Sequence, residues 1–485
     1  MKRSPDTMLR STFFARIRAA AERETVVSLI EGRTVSGAQL LHAADRVAAY
    51  LEDLGAAPQS RVLAVMPNCL ALLVLYLACL RHRIVICPVS PDSPQQDIEY
   101  IGSVFRPDVT VEPEALLACL DAALDEAPNA RAQPVSADYD DNDIFSVNFT
   151  SGTTGRPKGV AHCAERMLAN AGAFNTQLGC DAEQRMMHVM PMYYMAGLLN
   201  TILCPLMAGG TIIVAPALLP RTALSFWRQV IDNRATAFWL SPTMLRMVMK
   251  LDRTKDSREY AARDLRHAFV GTAPMAPVLG QEFLDSYGVR PLQSYGLSEL
   301  LLVSCDSPSS GELGSVGSLL QGIESGVAED RELEIRTPYL FAGYLDPESG
   351  AIDRANGLQP FSTGDLAEFD DRSCLKITGR KKDLVVVGGI NVSPAAIEEQ
   401  LQSVAGVSEI AVVGEGDDVY GEVPVAFVLL EKSADEAQVL EDLRESARSE
   451  LPAASRPARF YPVDKMPTGP TGKIQKRLLV RPVSP

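Results

Sequence analysis

The sequence predicts an α/β protein. A large N-terminal domain of layered α/β sheets carries a small β-barrel-like unit, and a small, mobile α+β C-terminal domain follows. Three observations carry this reading. First, the short β-rich runs RVLAVMP, RIVICPV, IFSVNF, TIIVAP, ATAFWL and HAFVG alternate with helical stretches. Such alternation argues for largely parallel sheets covered by helices. Second, after about residue 320 the texture changes to ELEIRT, LAEFDD and CLKIT, which fit a small antiparallel or barrel unit. Third, GRKKD makes a compact charged break, and a domain-sized run of strands and helices follows it. The boundary falls at Lys382, giving domains 1–381 and 382–485.

The first helix is read from Phe13, Phe14, Ile17 and Ala20, which share one face at helical spacing. The arginine-rich start around them lacks the apolar segment of a secretory signal. A second helix covers 36–55, where Leu40, Ala44, Val47, Leu51 and Leu54 recur at helical spacing and Gly55 stops it. CLALLVLYLACL, residues 69–80, is the longest apolar run. It is too short to span a bilayer and reads as a buried helix, so no membrane span is expected. Beyond Lys382 the small domain is composed of LVVVGG, a helix from Pro394, VSEIAVVGE, VPVAFVLL, a helix near 436–450 and ARFYPV.

Composition narrows the function. The chain has 485 residues, 46 % of them hydrophobic, and a formal net charge of -15. That charge argues against a nucleic-acid partner, although local basic groups can still bind small anions. The nine cysteines form no CxxC pair and the five histidines no HExxH, which excludes a zinc ribbon and fits reduced thiols in a cytoplasmic protein.

The sharpest chemical signal is IFSVNFTSGTTGRPKGV, residues 144–160. A buried strand runs into Thr150, Ser151, Gly152, Thr153, Thr154, Gly155 and Lys158. Glycines let backbone N–H groups approach an anion, hydroxyls add donors, and the lysine supplies charge. Pro157 precedes Lys158 and Gly159 follows it, so the string departs from the P-loop, which needs Gly-Lys-Ser/Thr.

TSGTTGRPKG resembles the phosphate loop of the adenylate-forming superfamily: acyl- and aryl-CoA synthetases, peptide-synthetase adenylation domains and luciferases. The resemblance covers essentially the whole chain, and its further motifs occur in order. GTAP, Gly271, Thr272, Ala273 and Pro274, is similar to the turn against one face of adenine. QSYGLSE follows, with Tyr295, Gly296 and Ser298, the last in place of the family's threonine. The resemblance implies that Tyr295 stacks on adenine and that Glu299 holds the Mg2+ bridging the ATP phosphates. STGDLAEFD places Asp365 on the ribose hydroxyls. ITGRKKDLVVVGGINVSP implies that Arg380 reaches the ribose, that Lys382 is the hinge, and that Gly388 and Gly389 form the loop serving the second half-reaction. The family then usually carries Glu-Ile-Glu, whereas this chain reads Ala396-Ile397-Glu398.

PTGPTGKIQKRLL resembles the family ending and puts Lys473 on the catalytic lysine. The neighbouring Lys476, Arg477 and Arg481 read as solvated surface. The resemblance implies adenylation of a carboxylic acid by ATP with release of pyrophosphate, then transfer to a thiol. The most similar type is a stand-alone CoA ligase, so CoA is the expected acceptor; the alternative is a carrier protein's phosphopantetheine. A reading from a different class is a non-catalytic nucleotide-binding relative, which intact Glu299, Asp365, Arg380 and Lys473 argue against.

The acid pocket is expected at PMYYMAGLLN, residues 191–200, from Tyr193, Tyr194, Met195 and Gly197. Tyr194 stands where α-amino-acid enzymes carry Asp, so an α-ammonium group has no counterion. Apolar walls with polar tips point toward an aromatic or medium-length acyl acid.

Overall fold

The computed structural model describes residues 9–128, 140–150, 156–308, 313–469 and 472–479. Two large sheets form the first domain. In the nine-stranded sheet, the run Pro291–Leu297, His267–Val270, Ala237–Leu240, Arg185–His188, Thr211–Val214 and Glu24–Ser28 is parallel throughout. Antiparallel partners, Leu301–Cys305 and Arg33–Ser36, flank the run. The seven-stranded sheet is parallel from Ile144–Thr150 through Val85–Val89 and Arg61–Val65 to Val109–Val111. It then turns antiparallel through Lys158–Cys163, Gly343–Leu345 and Ile352–Arg354.

Burial follows the sequence periodicity. The first helix, Leu9–Ala19, buries Phe13, Phe14 and Ile17. Its Arg10 is also buried, and it lies 3.9 Å from Asp143 and 3.8 Å from Glu165. These carboxylates satisfy a charge that burial alone would penalise by several kcal/mol. The second helix, Gly37–Asp53, begins at a capping box: Ser36 Oγ accepts the Gln39 N–H and Gln39 accepts the Ser36 N–H. Helix Leu70–His82 is apolar on all sides from Leu70 to Leu80 because that stretch lies within the core. Burying each of its leucines contributes about 2 kcal/mol. No helix among the described residues is long and apolar enough to cross a membrane. All nine cysteines are free.

The barrel-like unit is a four-stranded antiparallel sheet of Glu324–Val327, Glu332–Arg336, Phe361–Phe369 and Leu375–Arg380. A single 3-10 turn, Lys381–Asp383, connects it to the last sheet. There Val385–Val387, Ile390–Val392, Val407–Asp417, Gly421–Leu430 and Arg459–Val463 pack under helices Pro394–Leu401 and Glu436–Glu450.

Candidate active site

Of the expected site residues, Thr150, Thr272 and Glu299 fall at or just past the carboxyl ends of parallel strands, where open α/β sheets leave a crevice, while Asp365 and Arg380 lie on the antiparallel sheet. Thr150 ends one strand and pairs in register with Lys158 on its antiparallel neighbour. Ser151, Gly152, Thr153, Thr154 and Gly155 lie outside the described residues. Strand residue Asn148 donates to the Tyr193 carbonyl at 3.3 Å, tying the loop's base to the expected acid pocket.

Glu299 sits in the tight turn between Pro291–Leu297 and Leu301–Cys305. The turn is held by Leu300 N–H on the Leu297 carbonyl and Phe341 N–H on the Glu299 carbonyl. A Cβ on Gly296 would come 2.2 Å from the Leu301 carbonyl oxygen, so only glycine fits under this bulge. Leu301 and Thr272 both adopt positive φ, +62° and +70°. Left-handed backbone at non-glycine residues is costly and clusters at functional sites. Gly271 is packed just as closely, since a Cβ there would lie 2.5 Å from Ser294 Oγ. Ala273 and Pro274 complete the turn before helix Pro277–Tyr287.

Two tyrosines bind the site's carboxylates. The Tyr344 hydroxyl donates to Glu299 Oε1 at 2.7 Å, and Lys158 Nζ lies 5.5 Å from the centre of the Tyr344 ring. The Tyr295 hydroxyl donates to Asp365 Oδ2 at 2.8 Å, and Arg380 Nε lies 2.6 Å from Asp365 Oδ1. Burial, then the adjacent carboxylate, pushes both phenols far above the ordinary tyrosine range, so both remain donors. Burial works against the Arg380 charge, and Asp365 more than offsets it. Ser298 lies in the same turn as Glu299.

In the acid-pocket segment, Met195 is buried in the main core, and Tyr194 packs against the second core. Burial raises the Tyr194 phenol; the charges of Arg380 and Glu299 reach it with opposite signs. Gly197 has a packing reason of its own: a Cβ there would meet the Pro191 carbonyl at 2.0 Å.

Lys473 enters from the small domain. Gly469 N–H donates to the Lys473 carbonyl, and Gln475 N–H to the Pro467 carbonyl, folding the segment back on itself. Gly472 takes φ +78° and approaches helix Pro242–Lys250, where Thr243 Oγ1 donates to its carbonyl at 2.9 Å. Burial raises the Glu409 carboxyl, and the charges of Arg246 and Lys250 oppose the rise. Lys473 is itself exposed; its ammonium is nonetheless held below the ordinary lysine range, by desolvation first and Arg380 second, while Asp365 and Asp383 pull it back. Lys382 lies exposed in the 3-10 turn. Gly388 and Gly389, at φ +57° and +87°, form a two-residue hairpin turn between Val385–Val387 and Ile390–Val392.

A family model described as AMP-binding enzyme matches residues 13–345, and one described as AMP-binding enzyme C-terminal domain matches 396–473. The chain belongs to the AMP-binding enzyme family. This AMP-binding enzyme is 28 % identical over 505 residues to the long-chain-fatty-acid–CoA ligase FadD13 of Mycobacterium tuberculosis, with 97 % of this chain and 96 % of that protein covered. It is 27 % identical over 463 residues to the 2-succinylbenzoate–CoA ligase of Bacillus licheniformis, covering 91 % and 93 %. The solved structure of ATP-bound MatB from Rhodopseudomonas palustris matches with TM-score 0.82 at 27 % identity, covering 96 % of this chain and 98 % of that one. The AMP-binding enzyme described here is an AMP-forming ligase of the acyl- and aryl-CoA type.

Tyr344, Asn148 and Thr243 carry no motif signal in the sequence. They become visible only as partners of Glu299, Tyr193 and Gly472.

Proposed function

We propose a division of labour for ATP-dependent activation of a carboxylic acid and its transfer to CoA. A carboxylate reacts poorly with a thiol because oxide is a very poor leaving group. Adenylation replaces that leaving group with AMP: an acid oxygen attacks the α-phosphorus as pyrophosphate departs. Little covalent work falls to the protein, so alignment and charge stabilisation dominate.

In this reading Thr150 and Lys158 flank the β/γ-phosphate cradle, Tyr295 faces adenine, and Asp365 with Arg380 holds the ribose. The observation that carries it is the Thr243–Gly472 hydrogen bond, which seats the segment bearing Lys473 on the large domain. Lys473 would stabilise charge between the acid and the α-phosphate. Among the described residues no three His, Cys, Asp or Glu side chains cluster to hold a metal. The single carboxylate of Glu299 instead suits a hard cation whose other ligands are phosphate oxygens and water, as Mg2+ prefers. Such an ion would neutralise phosphate charge.

For the thiol step the small domain would turn at Lys382, withdraw Lys473 and bring the Gly388–Gly389 turn to the carbonyl. The acid is read as aromatic or medium-length acyl, from Tyr193, Tyr194 and Met195. ATP–pyrophosphate exchange with butanoate, octanoate, dodecanoate, benzoate and 4-hydroxybenzoate tests activity and acid class together. Exchange with at least one supports the reading; none across the panel would leave a nucleotide binder. Acyl-CoA formation from that acid and free CoA supports the acceptor. Adenylate without acyl-CoA would shift it to a carrier protein's phosphopantetheine.

A further inference from the structure

On sequence alone Lys476 belongs to the solvated basic tail. In the fold its Nζ lies 2.6 Å from Glu398 Oε1, with side chains 30 % and 22 % exposed. The same carboxylate oxygen accepts the Val412 N–H at 2.6 Å. Glu398 lies on helix Pro394–Leu401. Just before that helix, the Ser393 hydroxyl donates at 2.9 Å to the Thr378 carbonyl, on the strand that carries Arg380. Lys476 stands three residues after Lys473, and apolar anchors lie on either side of it: Ile474 and Leu479 pack against Ala411, Val425, Phe427 and Met466.

Lys473 is therefore held from two directions. The Thr243–Gly472 hydrogen bond seats the preceding residue on the large domain. The Lys476–Glu398 pair fixes the following residues to the small domain's helix and sheet at once. A lysine side chain has four rotatable bonds, so the place of its ammonium depends on how firmly its backbone is clamped. Displacement of a catalytic group by about 1 Å can cost on the order of a hundredfold in rate.

We infer that the Glu398–Lys476 ion pair is a positioning device for adenylation: together with the Thr243–Gly472 contact it clamps the tail segment so that Lys473 is presented to the large domain. The inference rests on the reading of Lys473 given above. Its role is specific to the first half-reaction, because only that step uses Lys473.

The test compares Lys476→Met, Glu398→Gln, Lys476→Arg and Lys473→Ala in the full-length enzyme. The acid is whichever member of the panel above exchanges fastest. Lys476→Met and Glu398→Gln are expected to lower kcat of pyrophosphate exchange by about tenfold or more. KM for ATP and acid should stay near wild type, and thioester formation from synthetic acyl-AMP and CoA should be intact. Lys476→Arg should restore exchange. Independently of turnover, deuterium uptake over residues 472–479 and at Val412 should rise in Lys476→Met and Glu398→Gln and return in Lys476→Arg, with helix Glu436–Glu450 unchanged. Wild-type exchange kinetics and deuterium uptake in both Lys476→Met and Glu398→Gln would overturn the inference, as would equal loss in both half-reactions. An active Lys473→Ala enzyme would overturn the reading of Lys473 itself, a failure visible in that variant alone.

Discussion

The Tyr344 hydroxyl donates to Glu299 Oε1 at 2.7 Å while its ring faces Lys158 Nζ at 5.5 Å. One side chain thus links the proposed metal carboxylate to the lysine of the phosphate loop. A hydrogen bond to a charged acceptor is worth about 1.5–3 kcal/mol, and a cation over an aromatic face about 0.5–2 kcal/mol. Tyr344→Phe removes the first and keeps the second. It should raise the Mg2+ concentration needed for half-maximal pyrophosphate exchange. Tyr344→Leu removes both and should also raise KM for ATP. Identical Mg2+ titrations for wild type and Tyr344→Phe would refute the link.

Lys473→Ala should lower adenylation by about a thousandfold, the scale of losing one preorganised charge at a developing anion. Thioester formation from supplied acyl-AMP should be largely spared. Single-turnover assays of each half-reaction separate the two effects, and a parallel loss in both would contradict the assignment.

The pH dependence of adenylation has a predicted sign. Lys473 must be protonated to stabilise phosphate charge, and desolvation with Arg380 holds its pKa below the usual 10.5. Activity should therefore fall as pH rises, through a midpoint below 10.5 in the kcat/KM profile, which reports the free enzyme. Arg380→Gln removes a repelling cation and leaves Asp365 uncompensated, so it should move that midpoint upward. A midpoint unmoved by the substitution would show that another group titrates.

Gly388→Ala and Gly389→Ala place an L side chain where φ is +57° and +87°. Each should destabilise the hairpin by about 1–2 kcal/mol. If this turn serves thiol transfer, acyl-CoA formation should fall while pyrophosphate exchange holds. Thermal unfolding followed beside both assays distinguishes a local effect from general loss of fold.

Acid should destabilise the large domain through its buried histidines. Burial lowers His162 and His188 from 6.5 to about 3, and His267 to about 4. The unfolded chain takes up protons below 6.5, and the folded chain does not until about 3 to 4. Unfolding therefore absorbs protons across that window, and stability falls as pH drops through it. Urea midpoints measured at pH 7 and pH 5 should decrease, and His188→Asn should flatten the decrease.

Local pattern made much of this legible. Phe13, Phe14 and Ile17 marked a helix because their spacing matches its period, and all three are buried in it. TSGTTGRPKG and the five later motifs are legible as strings because backbone approach to phosphate, metal binding and ribose recognition each demand particular residue types at short spacing. Tyr344 was not readable: strand Gly343–Leu345 meets the phosphate hairpin through a register set by sheet pairing about 180 residues apart in the chain. Lys476 reads as surface in the sequence because a lysine in a basic tail carries no sign of a partner. Glu398 lies 78 positions earlier, on another element.

The sequence by itself therefore determined the α/β class and the family, because periodicity and short motifs are local properties of a chain. Only the tertiary structure decided which carboxylate each tyrosine holds, that Gly472 rests on Thr243, and that Lys476 is paired with Glu398. Those facts depend on distances between elements remote in sequence. Hydrogen bonds and ion pairs are made or lost over an ångström or so, a precision that strand register and domain docking impose and residue order alone does not.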